Sequence, residues 1–367
     1  MRETLITIFL PSLRGGGAER VMVTLANGFA KRGYRVDLVL AQAVGPYMAE
    51  VSDAVRVVDL GAGRVVRSLP RLTKYLHQER PAAVLSALSH ANVVAIMAHL
   101  LARSRSRLVV SERNVIATEG TDVTNERGRW LRHLMRLTYP LADAAVAVSN
   151  GVRDDLVAII GVSKDRVRTI YNPVVDERLL ARSYEPVSHP WFAPNEPPVI
   201  LGVGRLTPQK DFATLVRAFA IARKQRNMRL MILGEGELRR ELEALVRSLG
   251  IENDVTFPGF AENPFAYMRR AAVFVLSSRW EGLPGVLIQA MACGTPVIST
   301  DCHSGPAEIL ENGRWGRLVP VGDVDAIAMA ILATLESRNH PDVARRAQDF
   351  AVERALEEYL QVLGLND

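Results

Sequence analysis

Short apolar runs alternate with longer amphipathic segments along almost the whole chain, and this rhythm limits the possible folds more than any other feature. The runs are residues 4–10, 35–41, 82–88, 107–112, 144–150, 167–172, 199–206, 228–236, 254–260, 272–278 and 295–300. Strands rich in Val, Ile and Leu without alternating polar residues are buried on both faces, as in parallel sheets covered by helices. The pattern therefore predicts an α/β protein with doubly wound parallel sheets.

A proline-rich stretch, residues 174–198, interrupts this rhythm. Such a composition is typical of linkers between domains. We therefore expect a first domain at residues 1–173 and a second at residues 199–340, since 367 residues suffice for two hydrophobic cores. Within the first domain, the amphipathic segment 18–33 predicts a helix that ends at a glycine.

Composition and cysteine usage exclude several classes of protein. The apolar fraction of 48% is too high for a disordered chain. The apolar region from Ala82 to Leu101 contains two histidines and an asparagine, which favours a strand, a turn and a buried helix over a membrane span. Cys293 and Cys302 fit neither a metal pattern nor a disulfide framework, so we expect buried thiols in a reducing cytoplasm. The first apolar run is too short for a secretion signal.

Charge is distributed unevenly between the two halves of the chain. Residues 1–180 carry 25 basic and 17 acidic side chains, whereas residues 181–367 carry 20 and 23. A basic first half beside a mildly acidic second half indicates an anionic surface partner for the first domain.

A turn with three glycines, Gly15, Gly16 and Gly17, follows the first apolar run. Glycines allow the backbone to approach a ligand closely and to direct N–H groups at it. The spacing is not the dinucleotide-binding fingerprint, because Arg20 stands where a third Gly or Ala is needed. A flexible turn is the alternative interpretation.

Two cations, Arg205 and Lys210, follow Gly204 at the end of the first run of the second domain. A guanidinium offers a forked donor and an ammonium a point charge, and together they suit the charges of a departing diphosphate. A solvated surface pair is the alternative. The Gly-x-Gly turn that begins at Gly234 is a weak signal, as common in ordinary turns as in ligand contacts.

The stretch from Trp280 to Gly294 carries the most specific signal. Glu281 follows an apolar run, and a turn from Gly282 to Gly285 leads into a helix of small residues. A strand end, a glycine-rich turn and a helix N-terminus form an anion site. Because a carboxylate repels phosphate, Glu281 is expected to accept hydrogen bonds from the hydroxyls of a nearby sugar.

This stretch resembles the core motif of the retaining glycosyltransferases of family 4, in which two glutamates are separated by seven residues. Here Glu281 stands at the first position and Gln289 at the second. The resemblance spans nearly the whole chain. It implies the GT-B fold, with two Rossmann-like domains facing a cleft and a last helix, roughly residues 341–363, that packs back on the first domain.

The resemblance also implies roles for individual residues. Arg205 and Lys210 would bind the donor diphosphate, and Glu281 would bind the donor sugar. Gln289 would contact the nucleotide ribose without charge assistance, which weakens a hydrogen bond by about 1 kcal/mol. We therefore expect Gln289→Glu to tighten donor binding or leave it unchanged. The other positions implied for donor binding are Gly16, Gly17, Gly204, Gly234, Phe260, Gly282, Leu283, Pro284 and Gly285.

The family usually carries a histidine after the fourth strand of the first domain, where this chain has Glu112 and Arg113. A carboxylate there could act in catalysis by orienting an acceptor hydroxyl or taking its proton. A structural ion pair between the two residues is the alternative. His90 could also face the cleft, although a histidine beside apolar strands more often has a structural role.

A basic amphipathic segment lies at residues 126–139. Apolar side chains, among them Trp130, recur at helical spacing, and Arg129, Arg132 and Arg136 share another face. Such helices bind membrane surfaces, and members of the family that use lipid acceptors carry one in this domain. An ordinary helix with its apolar face on the sheet is the alternative.

Together these features predict a retaining glycosyltransferase that moves a hexose or N-acetylhexosamine from a UDP-sugar to a lipid-linked, lipopolysaccharide or polysaccharide glycan. We expect it at the inner face of the cytoplasmic membrane, with an anionic membrane surface as a partner. We expect no metal, no cofactor and no nucleic acid. Asp323-Val324-Asp325 matches the Asp-x-Asp metal motif of another glycosyltransferase fold, but its position predicts a helix N-cap.

Two other functions remain open from the sequence. A glycosidase or phosphorylase would need a facing carboxylate pair or a cofactor lysine, and neither is identifiable. A catalytically weak sugar-nucleotide-binding subunit of a polysaccharide assembly complex is conceivable, because Gln289 and the absent histidine depart from the family pattern.

Overall fold

The computed structural model describes residues 4–14, 16–116 and 126–365. The chain forms two compact units, one comprising residues 1–173 and 352–367, the other residues 174–351. Each unit has its own parallel sheet and its own hydrophobic core, so the predicted α/β class is confirmed.

The first unit contains a seven-stranded parallel sheet. Its strands and helices up to residue 173 are β1 (Leu5–Leu10), α1 (Gly17–Lys31), β2 (Arg35–Leu40), β3 (Val55–Asp59), α2 (Leu69–Glu79), β4 (Ala83–Ala87), α3 (Ser89–Leu101), β5 (Arg107–Glu112), α4 (Glu126–Thr138), β6 (Ala144–Ala147), α5 (Asn150–Asp155) and β7 (Val167–Thr169). The strand order is β3-β2-β1-β4-β5-β6-β7. The order therefore reverses between β1 and β4, which makes this the switch point of the sheet.

The second unit contains a six-stranded parallel sheet. Its elements are α6 (Glu177–Ser183), β8 (Val199–Val203), α7 (Phe212–Arg223), β9 (Arg229–Leu233), α8 (Arg239–Ser248), β10 (Val255–Gly259), α9 (Pro264–Arg270), β11 (Val273–Leu276), α10 (Gly285–Ala292), β12 (Val297–Thr300), α11 (Pro306–Ile309), β13 (Arg317–Val319), α12 (Val324–Glu336) and α13 (Val343–Ala347). The strand order is β10-β9-β8-β11-β12-β13, with its switch point between β8 and β11.

Local sequence signals account for most of these elements. All six residues of β1 are buried, as expected for a strand covered on both faces. Helix α1 ends at Lys31, and Gly33 follows in the left-handed conformation with φ +87°. The region from Ala82 to Leu101 forms β4 and α3, and no helix in the described part of the chain has the length and hydropathy needed to cross a bilayer.

The stretch predicted as a linker, residues 174–198, is part of the second unit. Arg182, in α6, donates to the backbone oxygen of Glu262 at 2.9 Å, and Asn263 donates back to the backbone oxygen of Arg182 at 2.9 Å. The guanidinium of Arg229 lies 4.9 Å from the ring centre of Trp191. The prolines thus divide the stretch into short packed pieces, and composition alone did not reveal this packing.

The last part of the chain also differs from the prediction. A final helix, α14 (Val352–Val362), lies in the first unit, whereas residues 341–351, including α13, belong to the second. Leu356 of α14 packs over Gly28, where an added Cβ would lie 2.5 Å from a Leu356 methyl carbon. The expected single helix over residues 341–363 is therefore two helices, and only the second packs on the first unit.

Candidate functional site

Most of the predicted donor residues of the second unit lie where the strands β8, β9 and β11 end. Gly204 directly follows β8, Gly234 follows β9, and Glu281 follows β11 by a few residues. Because β8 and β11 flank the switch point, these residues lie at the place where open α/β sheets bind ligands.

Lys210 and Glu281 form an ion pair at the centre of this edge. The Nζ atom of Lys210 donates to Oε1 of Glu281 at 2.5 Å. Ser278 donates its hydroxyl to the same oxygen at 2.7 Å. Glu281 is 7% exposed, so its carboxylate is held by two donors in a largely dry environment.

Hydrogen bonds to backbone oxygens fix the loop that carries Lys210 to the segment that carries Glu281. Ser277 donates its hydroxyl to the backbone oxygen of Lys210 at 2.8 Å, and the N–H of Arg279 donates to the backbone oxygen of Gln209 at 2.8 Å. The side chain of Gln209 donates to the backbone oxygen of Trp280 at 3.0 Å. One network of hydrogen bonds therefore positions both Lys210 and Glu281.

Glycines allow the ends of β8, β9 and β10 to approach one another closely. Gly234 has φ +137°, and an added Cβ would lie 1.9 Å from the backbone oxygen of Gly204. The N–H of Gly234 donates to the backbone oxygen of Gly259 at 2.8 Å. The weak Gly-x-Gly signal therefore marks a position that only glycine can occupy.

Arg205 lies in a different environment from Lys210. Its side chain is exposed, and it forms no ion pair with any residue that the structure describes. Between the two cations, the Oγ1 atom of Thr207 is buried without a hydrogen-bond partner in the described ranges. This loop therefore offers an unpaired cation and an unsatisfied hydroxyl.

The turn after Glu281 is held by the loop that follows β12. Ser304 donates its hydroxyl to the backbone oxygen of Gly282 at 2.9 Å. Helix α10 begins at Gly285 behind Pro284, which supplies no side-chain cap. Leu283 is buried, and Gln289 is half-buried on the second turn of α10.

Phe260, predicted on the donor side, directly follows β10 and is 80% exposed. Cys302 and Cys293 are free and buried, as predicted. Burial, with a smaller contribution from the charge of Glu281, raises the pKa of the Cys302 thiol to about 12, so this thiol is inert at neutral pH. Sequence reasoning missed Ser278 and Ser304, whose only signal is a small polar residue after a buried strand.

In the first unit, Gly16 and Gly17 form the start of α1, while Gly15 lies outside the described residues. The carboxylate of Glu19 folds back over Gly16, where an added Cβ would lie 2.1 Å from Oε2 of Glu19. The helix N-terminus thus already faces an anionic side chain of the chain itself.

Glu112 ends β5 and is 1% exposed. Its Oε2 atom accepts from the hydroxyl of Tyr139 at 2.8 Å, and its Oε1 atom accepts from the hydroxyl of Ser89 at 3.1 Å. Arg113 instead donates to Oδ1 of Asn172 at 2.5 Å and to the hydroxyl of Tyr359 at 3.3 Å. The alternative ion pair between Glu112 and Arg113 is therefore not formed, and the catalytic role of Glu112 stays a prediction.

The burial of Glu112 has a consequence for stability. Burial raises the pKa of its carboxyl in the folded state, so the folded state binds a proton more tightly than the unfolded chain does. The resulting stability is present below the unfolded pKa of about 4.3 and is lost as pH rises toward the folded pKa.

We expect the stability of the wild type relative to Glu112→Gln to fall as pH rises from 4 to 7, because glutamine does not ionise. Melting temperatures across this range measure the difference, with about 2–4 °C for each 1 kcal/mol in a unit of this size. The exposed Glu357, changed to Gln, provides a control carboxylate in the same unit. A difference that stays constant with pH would contradict the expectation.

Helix α4 presents an apolar face to solvent. The exposed apolar side chains are Trp130, Leu134 and Leu137, with Leu141 in the following turn. Met135 is buried on the opposite face. Arg129 is exposed, whereas Arg132 and Arg136 donate to the backbone oxygens of Ile116 and Ile159. The apolar stripe of the sequence therefore does not pack on the sheet.

Asp323 caps α12 by accepting from the N–H of Ala326 at 2.9 Å, so the predicted N-cap is confirmed. The structure describes no group of three or more His, Cys, Asp or Glu side chains with the spacing of a metal site.

Two protein-family models match the chain. Residues 15–178 match the model described as Glycosyltransferase Family 4, and residues 185–349 match the model described as Glycosyl transferases group 1. The N-acetylgalactosamine-N,N'-diacetylbacillosaminyl-diphospho-undecaprenol 4-alpha-N-acetylgalactosaminyltransferase of Campylobacter jejuni is 30% identical over 90% of this chain and 89% of that relative.

A lipopolysaccharide core biosynthesis glycosyltransferase of Rhizobium meliloti is 26% identical over 95% of this chain and 96% of that relative. Among solved structures, the Anabaena protein HepE in complex with UDP-glucose has a TM-score of 0.82. It is 22% identical, and the match covers 99% of this chain and 100% of that chain. At this identity the similarity shows a shared fold.

Proposed function

The chain belongs to family 4 of the glycosyltransferases and has their GT-B fold, and we propose that it transfers a hexose or N-acetylhexosamine from a UDP-sugar with retention of configuration. The proposed acceptor is a lipid-linked, lipopolysaccharide or polysaccharide glycan, as the names of its relatives suggest. The proposed reaction needs no metal ion, because side-chain cations neutralise the departing diphosphate.

The ion pair between Lys210 and Glu281 carries this proposal. A lysine ammonium has three N–H donors, and Glu281 takes one of them at 2.5 Å. The remaining two are available to the diphosphate of a donor at the same strand edge. Glu281 receives both of its side-chain bonds on Oε1, so we assign its Oε2 atom to a hydroxyl of the donor sugar.

Arg205 supplies the second positive charge. It has no carboxylate to release among the described residues, so it can form a bidentate contact with a phosphate without breaking an existing pair. Stabilisation of the charge that develops on the leaving group lowers the barrier of the transfer. As the family resemblance implies, a phosphate oxygen then helps to take the acceptor proton on the face that the diphosphate leaves.

A donor panel followed by a transfer assay tests the proposal. Ligands that bind only the folded state raise the melting temperature, with about 2.7 kcal/mol of stabilisation at a concentration 100 times Kd. We expect UDP-sugars to produce this shift and to be consumed in the presence of EDTA when a lipid-linked sugar is added. Donor binding without transfer or hydrolysis would favour the binding-subunit alternative, and strict loss in EDTA would refute metal independence.

The exposed apolar face of α4 supports peripheral attachment to the inner face of the cytoplasmic membrane. Leu100 and Leu101, at the end of the neighbouring helix α3, are also exposed. Apolar side chains that face water, with Arg129 beside them, suit insertion into the headgroup region of an anionic bilayer.

We expect the double variant Trp130→Ala/Leu137→Ala to bind anionic vesicles at least about tenfold more weakly, since each buried apolar side chain contributes about 1.5–3 kcal/mol. Vesicle sedimentation measures the loss. Met329→Ala, in the second unit, removes a side chain with the same 70% exposure as Trp130 and serves as the control. Unchanged sedimentation of the double variant would refute the membrane role of α4.

A further inference from the structure

Four exposed cations lie along the first half of α2 and the turn before it. They are Arg64, Arg67, Arg71 and Lys74, here called the cationic ladder. A 3₁₀ turn at Val65–Ser68 continues directly into α2, so intervals of four and three residues place Arg67, Arg71 and Lys74 on one helical face. Arg64 precedes them as the extended N-cap of the 3₁₀ turn. All four are exposed, and no acidic residue occurs between Asp59 and Glu79.

The ladder has no carboxylate partner among the residues that the structure describes. Within the described residues, Arg64, Arg67 and Lys74 form no ion pair, and Arg71 donates to the backbone oxygen of Leu60. Several other arginines of this unit pair with acids, whereas Arg132 and Arg136 of α4 donate to backbone oxygens. Examples of the pairs are Arg20 with Glu50 at 3.7 Å, Arg32 with Glu353 at 2.7 Å and Arg35 with Glu79 at 3.6 Å.

The ladder also opposes the electrostatics of its own helix. Neither the 3₁₀ turn nor α2 has an acidic residue in its first turn, and Arg64 and Ser68 supply no side-chain cap. Cations near a helix N-terminus repel its positive pole and lower the stability of the helix. A bound anion would neutralise the cations and so remove this repulsion and the loss of helix stability. The arrangement is therefore better explained by ligand binding than by a contribution to folding.

The position of the ladder relates it to the ligand edge of the first sheet. The 3₁₀ turn follows the end of β3 and packs against α3, which begins immediately after β4. Since β4 and β1 flank the switch point, the Arg64 end of the ladder lies at the sheet edge that carries the turn of Gly16. From Arg64 the ladder extends through the 3₁₀ turn and along α2 for about 15 Å, at about 1.5 Å per residue.

We infer that the cationic ladder binds the diphosphate of the acceptor, so that the acceptor is a glycan carried on a lipid diphosphate. This inference rests on the proposed glycosyltransferase function. A diphosphate concentrates its negative charge in a short linear group, which cations on neighbouring helical turns can contact together. An uncharged carrier would leave these cations without a partner.

The composition of the ladder distinguishes a diphosphate from a membrane surface. Surfaces that enter the headgroup region combine cations with several apolar side chains, as the exposed face of α4 does. The ladder has one strongly exposed apolar residue, Val66. We therefore assign membrane contact to α4 and diphosphate contact to the ladder.

The test compares the wild type with the triple variant Arg64→Gln/Lys74→Gln/Arg67→Gln, which spares Arg71 because of its backbone bond. The acceptors are one sugar on farnesyl diphosphate and the same sugar on an uncharged alkyl chain, both without vesicles. We expect the KM for the diphosphate acceptor to rise at least tenfold, with the KM for the donor, donor hydrolysis and reaction with the alkyl acceptor unchanged.

A control triple variant removes the same charge from the second unit, at the exposed Arg217, Lys224 and Arg247. It should leave the KM for the acceptor unchanged. A KM within twofold of wild type in the ladder variant would overturn the inference. The inference also fails if the ladder variant loses binding to anionic vesicles while its KM for the soluble acceptor is unchanged, since the ladder would then contact lipid headgroups.

A binding measurement separates this inference from the proposed function. Titration calorimetry with farnesyl diphosphate, in saturating UDP to occupy the donor site, needs no turnover. We expect affinity to fall at least tenfold in the ladder variant. If wild-type protein transfers no sugar but shows this ladder-dependent binding, the proposed function fails and the diphosphate site stands. Equal affinity in both proteins would refute the site.

Discussion

Replacing Lys210 with methionine is expected to lower the rate of sugar transfer by about 10³-fold, because it removes the charged donor that we propose for the departing diphosphate. Methionine keeps much of the apolar length of the lysine side chain. The change also leaves Glu281, which is 7% exposed, without its counter-ion. An uncompensated buried charge costs about 3 kcal/mol, so the second unit should unfold at lower denaturant concentration.

A second variant separates these two effects. Adding Glu281→Gln to Lys210→Met removes the stranded charge, so the free energy of unfolding should recover while transfer stays lost. Denaturant titration and a transfer assay on the two variants and the wild type measure both quantities. Recovery of transfer together with stability would show that the ion pair is purely structural, and the proposed role of Lys210 would fail.

Replacing Gly234 with alanine is expected to lower the free energy of unfolding of the second unit by about 4 kcal/mol, from backbone strain together with overpacking. The residue has φ +137°, and its new Cβ would lie 1.9 Å from the backbone oxygen of Gly204. The ends of β8 and β9 would have to separate. Donor binding should therefore weaken in the protein that remains folded.

Gly250 provides a matched control for this change. It also has a positive φ, +67°, but an added Cβ there meets nothing within 4 Å. Gly250→Ala should therefore show backbone strain alone, about 1 kcal/mol. Three of the four tryptophans, Trp191, Trp280 and Trp315, report unfolding of the second unit by fluorescence. Equal destabilisation by the two variants would contradict the close approach of β8 and β9.

Local patterns predicted the strands whose residues are buried on both faces. Two strands lay outside the predicted runs, β3 and β13. Both lie at edges of their sheets and contain exposed residues. An edge strand needs fewer apolar residues, because it has a neighbouring strand on one side only. Residues 174–198 were predicted to be a linker, but they are packed segments of the second unit that the prolines separate.

The candidate site was predicted in part. The motif at Glu281 and the paired cations Arg205 and Lys210 were found from residue type and spacing. The contact between Lys210 and Glu281 joins residues 71 positions apart, and no local pattern indicates it. The burial of Glu112 could not be predicted either, because the local sequence around a glutamate at a strand end does not indicate whether distant residues cover it.

The amino-acid sequence by itself determined the α/β class and the number of cores, and it located the residues that we propose contact a sugar nucleotide. Such properties follow from side-chain type and from spacing within a few residues. Only the tertiary structure decided that β8 and β11 become neighbours, that Lys210 reaches Glu281, and that the apolar face of α4 points to solvent. These depend on which distant segments return to the same strand edge, and that is settled by the packing of the whole sheet.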